Sequence, residues 1–296
     1  QALAQGEDGQ GLVDISQVNK DHAANRSDDV KVQTSPPRIV AFSPAIGIIL
    51  RDLGRVSTVV GRHGYDSFLP SQIPTCGDQA GIDFERLLTA SPTHILTQWG
   101  TRELPERLKT LANQKGWVIE DYPLVTLTDI RAAVLDIDRL SSHGQNASDQ
   151  QTPTPQAAKL VEQMNQAWSA REGMFKGRVL LLASLKPYGI FGPGSCHHDI
   201  LIALGATPAV TQGAIFINLD AEKLIEISPD VIIYLDPLVV EGQPRVESLN
   251  LSIGNRPFKG RAVTLHDAES QIPSTSMIRV ANLMAEALIE MEANPQ

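Results

Sequence analysis

DFERLLTASPTHIL (residues 83–96) has a near copy later in the same chain, DAEKLIEISPDVII (220–233). The two lines share six identities in fourteen positions: Asp83/Asp220, Glu85/Glu222, Leu87/Leu224, Ser91/Ser228, Pro92/Pro229 and Ile95/Ile232, with Arg86/Lys223 matched in charge. Each reads as a short helix running into a strand. Asp is a good N-cap, and the Glu two places on falls in the first turn, where the positive end of the helix dipole favours a carboxylate. Ser-Pro closes the helix, since proline cannot continue it. The aliphatic run that follows is expected as a buried strand.

A second pair extends the match. IILRDLG (48–54) and DILIALG (199–205) each end a short helix in Leu-Gly, suited to a left-handed C-cap, and each follows a strand that opens Arg38-Ile or Arg178-Val. Both halves therefore run strand, Leu-Gly helix, Asp-x-Glu helix, Ser-Pro, strand. Any two α/β lobes can share such grammar; that Glu85 and Glu222 coincide at a surface position that tolerates almost any residue favours duplication.

From Arg38 onward, β-type runs alternate with helical patterns: RIVAFS (38–43), IGIILRDLG (46–54), STVVGR (57–62), DFERLLTAS (83–91), THILTQ (93–98), TRELPERLKTLANQ (101–114), WVIEDY (117–122) and TDIRAAVLDIDRLSSH (128–143). Such alternation predicts α/β units built on mostly parallel strands. GQNASDQQTPTP (144–155) reads as a linker. A long helical pattern follows at 156–175, with Leu160, Met164 and Trp168 on one face. The second half continues through RVLLLAS (178–184), HHDILIALG (197–205), AIFINLD (214–220), AEKLIEIS (221–228), DVIIYLD (230–236) and RAVTLHD (261–267), and closes on a helix at 276–293. The expected organisation is a polar N-terminal arm (1–37), an α/β lobe (38–150), a linker and inter-lobe helix (151–176), and a second α/β lobe with its closing helix (177–296). A single helix between lobes predicts a small closure on binding, of a few degrees, rather than a wide hinge motion.

With 296 residues, 42% of them hydrophobic, the chain can bury a large core. Charged or breaker residues interrupt every apolar run, so no membrane span is predicted. A net charge of −9 without a Lys/Arg cluster argues against a polyanionic partner such as nucleic acid. Two cysteines, Cys76 and Cys196, are too few for a disulfide framework and too far apart for a CxxC site. The opening QALAQGEDGQ lacks an initiator Met, and its ALA resembles the small-residue end of a signal peptide, which suggests export to an extracytoplasmic compartment.

RIVAFSPAIGIILRDLGRVSTVVGRHGYDS, then CGDQAGIDFERLLTASPTHILTQWG, then the lone helix and a repeated second half resemble the iron-chelate and cobalamin substrate-binding proteins of ABC importers, over most of 38–292. The resemblance implies a monomer of two α/β lobes joined by one rigid helix, with a metal chelate between them: a corrinoid, haem or a ferric chelate. It also implies that an acidic residue on each lobe pairs with arginines on the two permease subunits. The matching positions here are Glu85 and Glu222. Tyr65 matches an aromatic pocket position of the cobalamin binders and Trp99 lies within a residue of another. Gln79 stands where those proteins carry tryptophan, and no arginine precedes the final helix at PSTS (273–276).

Ligands of two-lobed α/β proteins lie near the carboxyl ends of the strands. The loops expected there are 61–68, 75–81, 98–103, 185–198 and 266–271. They supply the candidate ligand-binding residues His63, Tyr65, Asp78, Gln79, Trp99, Tyr188, Phe191, Cys196, His197 and His266. Imidazole, thiolate and phenolate are ligands that borderline and soft metals prefer, and aromatic faces suit a planar macrocycle. His63, His197 and His266 are the candidates for direct metal contact. His197 and His198, being adjacent at a helix start, cannot both face the ligand. No cofactor is required. Catalytic motifs are missing: GIFGPGS (189–195) lacks the Lys-Ser/Thr of a phosphate-binding loop, and neither HExxH nor GxSxG occurs. The alternatives are a ligand sensor or scaffold without a permease, and a small-molecule enzyme using the same cleft.

Overall fold

A computed structural model describes residues 36–78, 80–100, 102–142, 152–171, 173, 175–238 and 245–293. The polar arm as far as residue 35, most of the linker and Gln79 lie outside the described residues.

In the first half, β1 (Ile39–Ala41) leads into α1 (Pro44–Asp52) and a 3-10 turn (Val56–Thr58), then β2 (Val59–Arg62). A small antiparallel pair, β3 (Gly77–Asp78) and β4 (Gly81–Ile82), precedes α2 (Phe84–Ala90) and β5 (His94–Thr97). Helix α3 (Glu106–Lys115), β6 (Val118–Asp121) and α4 (Leu127–Ser141) complete it. The sheet order is β2-β1-β5-β6, all parallel, with Val40 level with Gly61 and Ile95. Strand β1 is buried throughout, as a central parallel strand must be.

After α5 (Pro155–Ala167) come β7 (Arg178–Leu185), β8 (Tyr188–Phe191), α6 (Cys196–Ala203), β9 (Thr207–Pro208), β10 (Phe216–Leu219), α7 (Ala221–Ile227) and β11 (Val231–Asp236). Strand β12 (Arg245–Ser248), the short pair β13 (Ser252–Ile253) and β14 (Arg256–Pro257), β15 (Arg261–His266) and α8 (Met277–Ala293) follow. Strands β9, β7, β11 and β15 are parallel and repeat the order β2-β1-β5-β6. Antiparallel β8, β10 and β12 are additions that only the second sheet carries.

The duplication is physical down to single bonds. Ser43 and Ser195 cap α1 and α6 with their hydroxyls, and both helices end at Leu-Gly with the glycine left-handed, Gly54 at φ 71 and Gly205 at φ 70. The Arg38 guanidinium donates to the carbonyls of Ser91 and Ala90, and that of Arg178 to the carbonyl of Ser228. An arginine at the start of each central strand thus closes the C-terminal end of the acidic helix of its own half.

One hydrophobic core runs through both halves. It joins Ile46 and Ile49 of α1, Val134 and Ile137 of α4, Leu160 and Met164 of α5, Ile200 of α6 and Met284 and Leu288 of α8. Helix α5 is shorter than its periodicity predicts. It stops at Ala167 because Trp168 turns its indole N–H to the Met277 carbonyl, and the Arg171 N–H finds the Ala203 carbonyl outside any helix. Polar bonds also cross between halves. Arg51 makes a two-pronged contact with Glu269 at 2.5 and 3.1 Å, Thr275 donates to Asp52 at 2.5 Å, and the Cys196 N–H reaches the Val125 carbonyl at 2.7 Å. Arg279 braces Asp267 and Glu269 from the other side, so both buried carboxylates are neutralised.

Candidate functional site

The duplicated helices are near replicas. Asp83 accepts the Arg86 N–H and Asp220 the Lys223 N–H, and each seven-residue helix ends on a left-handed serine, Ser91 at φ 45 and Ser228 at φ 48. Both glutamates are exposed. The basic neighbours are engaged elsewhere: Arg86 with Asp83 and the Thr75 hydroxyl, Lys223 with Glu226. Among the described residues Glu85 and Glu222 have no ion-pair partner. Each half therefore offers an uncompensated carboxylate on a rigid, doubly capped turn.

In the first half, β2 delivers His63 and Tyr65 from its carboxyl end. Tyr65 is 67% exposed, and its ring stands tilted 5.7 Å from the buried His63 ring. The Tyr65 N–H donates to His63 Nδ1, so neutral His63 carries its proton on Nε2 and is a hydrogen-bond donor there rather than a lone-pair ligand. Burial lowers the His63 pKa, against the attraction of Asp78 and Asp66. The loop is pinned by Asp66, which accepts the Phe68 and Leu69 N–H groups through Oδ1 while its Oδ2 is buried without a partner. Gly47 makes room for that carboxylate: a Cβ there would lie 2.1 Å from Asp66 Oδ2. Asp78 caps its own turn through the Ala80 N–H. Trp99 follows β5, its backbone held by Asp121 and its indole by the Glu103 carbonyl, with the Arg102 guanidinium 5.0 Å from the ring. A depression of about 440 Å³ opens between Gly64, Thr75, Asp78 and Arg86. It joins two of the five expected loops to the start of α2, and so marks one rim rather than a chamber between halves.

The second half corrects two expectations. Cys196 is 1% exposed and burial pushes its thiol up to about 12, so it is a core residue and no thiolate ligand. His197, 2% exposed, donates from Nε2 to the Ser270 carbonyl at 2.8 Å and leaves Nδ1 facing the Cys196 thiol at 3.6 Å. Both nitrogens are occupied and burial lowers its pKa to about 4, so His197 is a neutral structural histidine. His198, also buried, faces the Val210 carbonyl. His266 ends β15 between Asp236 and Glu247, 3.3 and 3.4 Å from their carboxylates, although Asp236 lies off the hydrogen-bonding direction of Nδ1. No group of three or more His, Cys, Asp or Glu among the described residues is disposed to hold a metal ion.

Phe191, half-buried, stacks on His197 at 3.8 Å and meets Phe216 edge-on at 6.3 Å. Phe216 and Ile215 are 45% and 49% exposed, and Leu238, just past β11, is 71% exposed. Sequence reasoning missed these three as surface residues. For Phe216 the signal available was the alternation of FINL at 216–219, which predicts one face open to solvent; Ile215 and Leu238 lie outside that pattern. Tyr188 is half-buried and donates to the Ser252 carbonyl at 3.2 Å.

No protein-family model and no curated protein matches the sequence. Solved structures do. The periplasmic haem-binding protein HutB of Vibrio cholerae superposes with a TM-score of 0.65 at 18% identity, covering 86% of this chain and 99% of that one. The periplasmic vitamin B12-binding protein BtuF of the same species gives 0.62 at 17%, covering 88% and 98%. The periplasmic haem-binding protein BhuT, solved with two haems, gives 0.63 at 16%, covering 86% and 99%. The chain has the two-lobed periplasmic binding protein fold. Within it, α2 and α7 are the equivalent acidic helices of the two halves, Trp99 and Leu238 follow the carboxyl ends of the central strands β5 and β11, and Tyr65 follows that of the edge strand β2. No described helix is long and apolar enough to cross a membrane.

Proposed function

We propose that the protein is an extracytoplasmic, non-enzymatic substrate-binding protein that holds a metal chelate between its lobes and delivers it to an ABC importer. The observation that carries the reading is the replicated acidic helix: two lobes of one periplasmic-binding-protein fold present the same capped turn with the same unpaired carboxylate, Glu85 and Glu222. A transporter with two equivalent subunits offers the same surface twice, and a carrier that engages both needs matching groups on both lobes. Complementary charges of this kind set orientation and encounter rate.

The cargo is a planar or bulky chelate: a corrinoid, haem or a ferric chelate. Support comes from the aromatic and apolar groups on the strand-end loops, Tyr65, Trp99 and Leu238, from the Phe191–Phe216 pair of the second half, and from the Nε2–H of His63 as a donor to a ligand carboxylate or amide. The ligand chemistry rests on these faces, with Asp78 and Tyr188 as further polar candidates on the strand-end loops. The protein acts as a monomer that docks on a permease dimer.

Titrating the purified chain with haem, cyanocobalamin and ferric siderophores tests the reading. One of them is expected to bind at one chelate per chain with a shifted visible spectrum, and Tyr65→Ala is expected to weaken it tenfold or more. No binding of any of the three classes would overturn it.

A further inference from the structure

The acidic helices share a feature that no docking by charge requires. One turn beyond each glutamate stands an exposed aliphatic side chain, Leu88 at 39% and Ile225 at 48% exposure, while the residues between them, Leu87 and Leu224, are fully buried. Glu85 and Leu88, and Glu222 and Ile225, are three residues apart and so neighbours on the helix surface, about 5–6 Å between Cβ atoms. The same couple, carboxylate and aliphatic knob, occurs on two helices whose caps, length and following strand also match.

We propose that Leu88 and Ile225 are the apolar anchors of the importer interface, each entering a hydrophobic socket beside the cation that receives the neighbouring glutamate. This rests on the docking proposed above and adds its source of affinity. Exposed ion pairs contribute little to the strength of a complex, whereas an aliphatic side chain that goes from solvent to a fitted pocket contributes substantially. The division of labour follows: the glutamates, whose basic neighbours are already tied up, steer the approach, and Leu88 and Ile225 hold the complex once formed. The partner is a membrane-protein dimer whose two subunits each carry an arginine or lysine next to an apolar hollow.

The test measures association and dissociation of the full chain on the chelate-importing permease of the source organism in nanodiscs, at low and high salt. Leu88→Ala with Ile225→Ala is expected to dissociate about tenfold faster or more, with an unchanged salt dependence. Glu85→Gln with Glu222→Gln is expected to associate more slowly and to lose its salt dependence. Ile289→Ala, an exposed aliphatic residue on α8, is the control and should behave as the parent. All positions are exposed, and a thermal melt confirms that each variant folds. Parent-like dissociation of the aliphatic double variant, beside slowed, salt-independent association of the glutamate variant, overturns the anchors and leaves the docking reading standing. Failure of the parent chain to bind the permease overturns both.

Discussion

His197 is held neutral by its surroundings: Nε2–H points at a carbonyl and the ring lies under Phe191. Its pKa, lowered to about 4, is below that of the unfolded chain, near 6.5. Between those values the unfolded state takes up a proton that the folded state refuses, so stability falls as pH drops from about 6.5 to about 4 and the loss is complete below that. The full effect is roughly 3 kcal/mol. His197→Gln is expected to flatten this acid limb in urea melts measured across that window; an unchanged slope would refute the assignment. Gly47 allows a second check. A methyl at that position meets the buried Asp66 carboxylate, so Gly47→Ala should destabilise by about 1–3 kcal/mol and disturb the loop that carries Tyr65, seen as a lowered melting temperature together with weakened chelate binding. Residue type was legible in the sequence at these places and orientation was not. Cys-His-His looks like a ligand set, yet the helix that starts at Cys196 turns all three side chains inward, and only the carbonyls of Ser270 and Val210, distant in sequence, reveal why.

Helices α2 and α7 owe their ends to side chains the sequence displays. Removing either N-cap, by Asp83→Ala or Asp220→Ala, should cost about 1 kcal/mol in a denaturant melt, and the two losses should add because the helices belong to separate lobes. A strongly sub-additive pair would mean that the helices are coupled. These elements could be read in advance because their signals are local: an aspartate cap, a first-turn glutamate, a Ser-Pro stop. What closes them was not local. The guanidinium groups of Arg38 and Arg178 come from strands some fifty residues earlier in the chain and cap carbonyls that no short window connects to them. The left-handed serines are likewise a consequence of the turn into β5 and β11, where the bare pattern shows only the following proline. Helix α5 was overread for the same reason: Leu160, Met164 and Trp168 mark a buried face, as expected, but the bonds of Trp168 and Arg171 to the second half end the helix early. The antiparallel strands β8, β10 and β12 follow from pairing partners that periodicity does not name.

Across the whole molecule, the two lobes are tied by a continuous apolar core and by the Arg51–Glu269 pair with its brace from Arg279. Arg51 is about a third exposed, so Arg51→Ala should cost only about 1–2 kcal/mol in stability, Glu269 retaining Arg279 as partner. The more telling effect is mechanical: with the tie in place, small-angle scattering should register a closure of only a few degrees on chelate binding, and a larger change in the Arg51→Ala chain. The two-lobed arrangement and the site of the duplication were both readable, because they depend on patterns repeated within one chain. The detailed lining of the binding seam was not, since it depends on which loops approach each other across the halves. The central claim, that matched carboxylates on twin helices present this carrier to a two-subunit importer, is met most directly by reconstituted transport with Glu85→Lys, Glu222→Lys and both together. Uptake should fall with each single reversal and vanish with the pair while chelate affinity is unchanged; undiminished uptake by the double variant, or a matching loss of chelate affinity, would contradict the account.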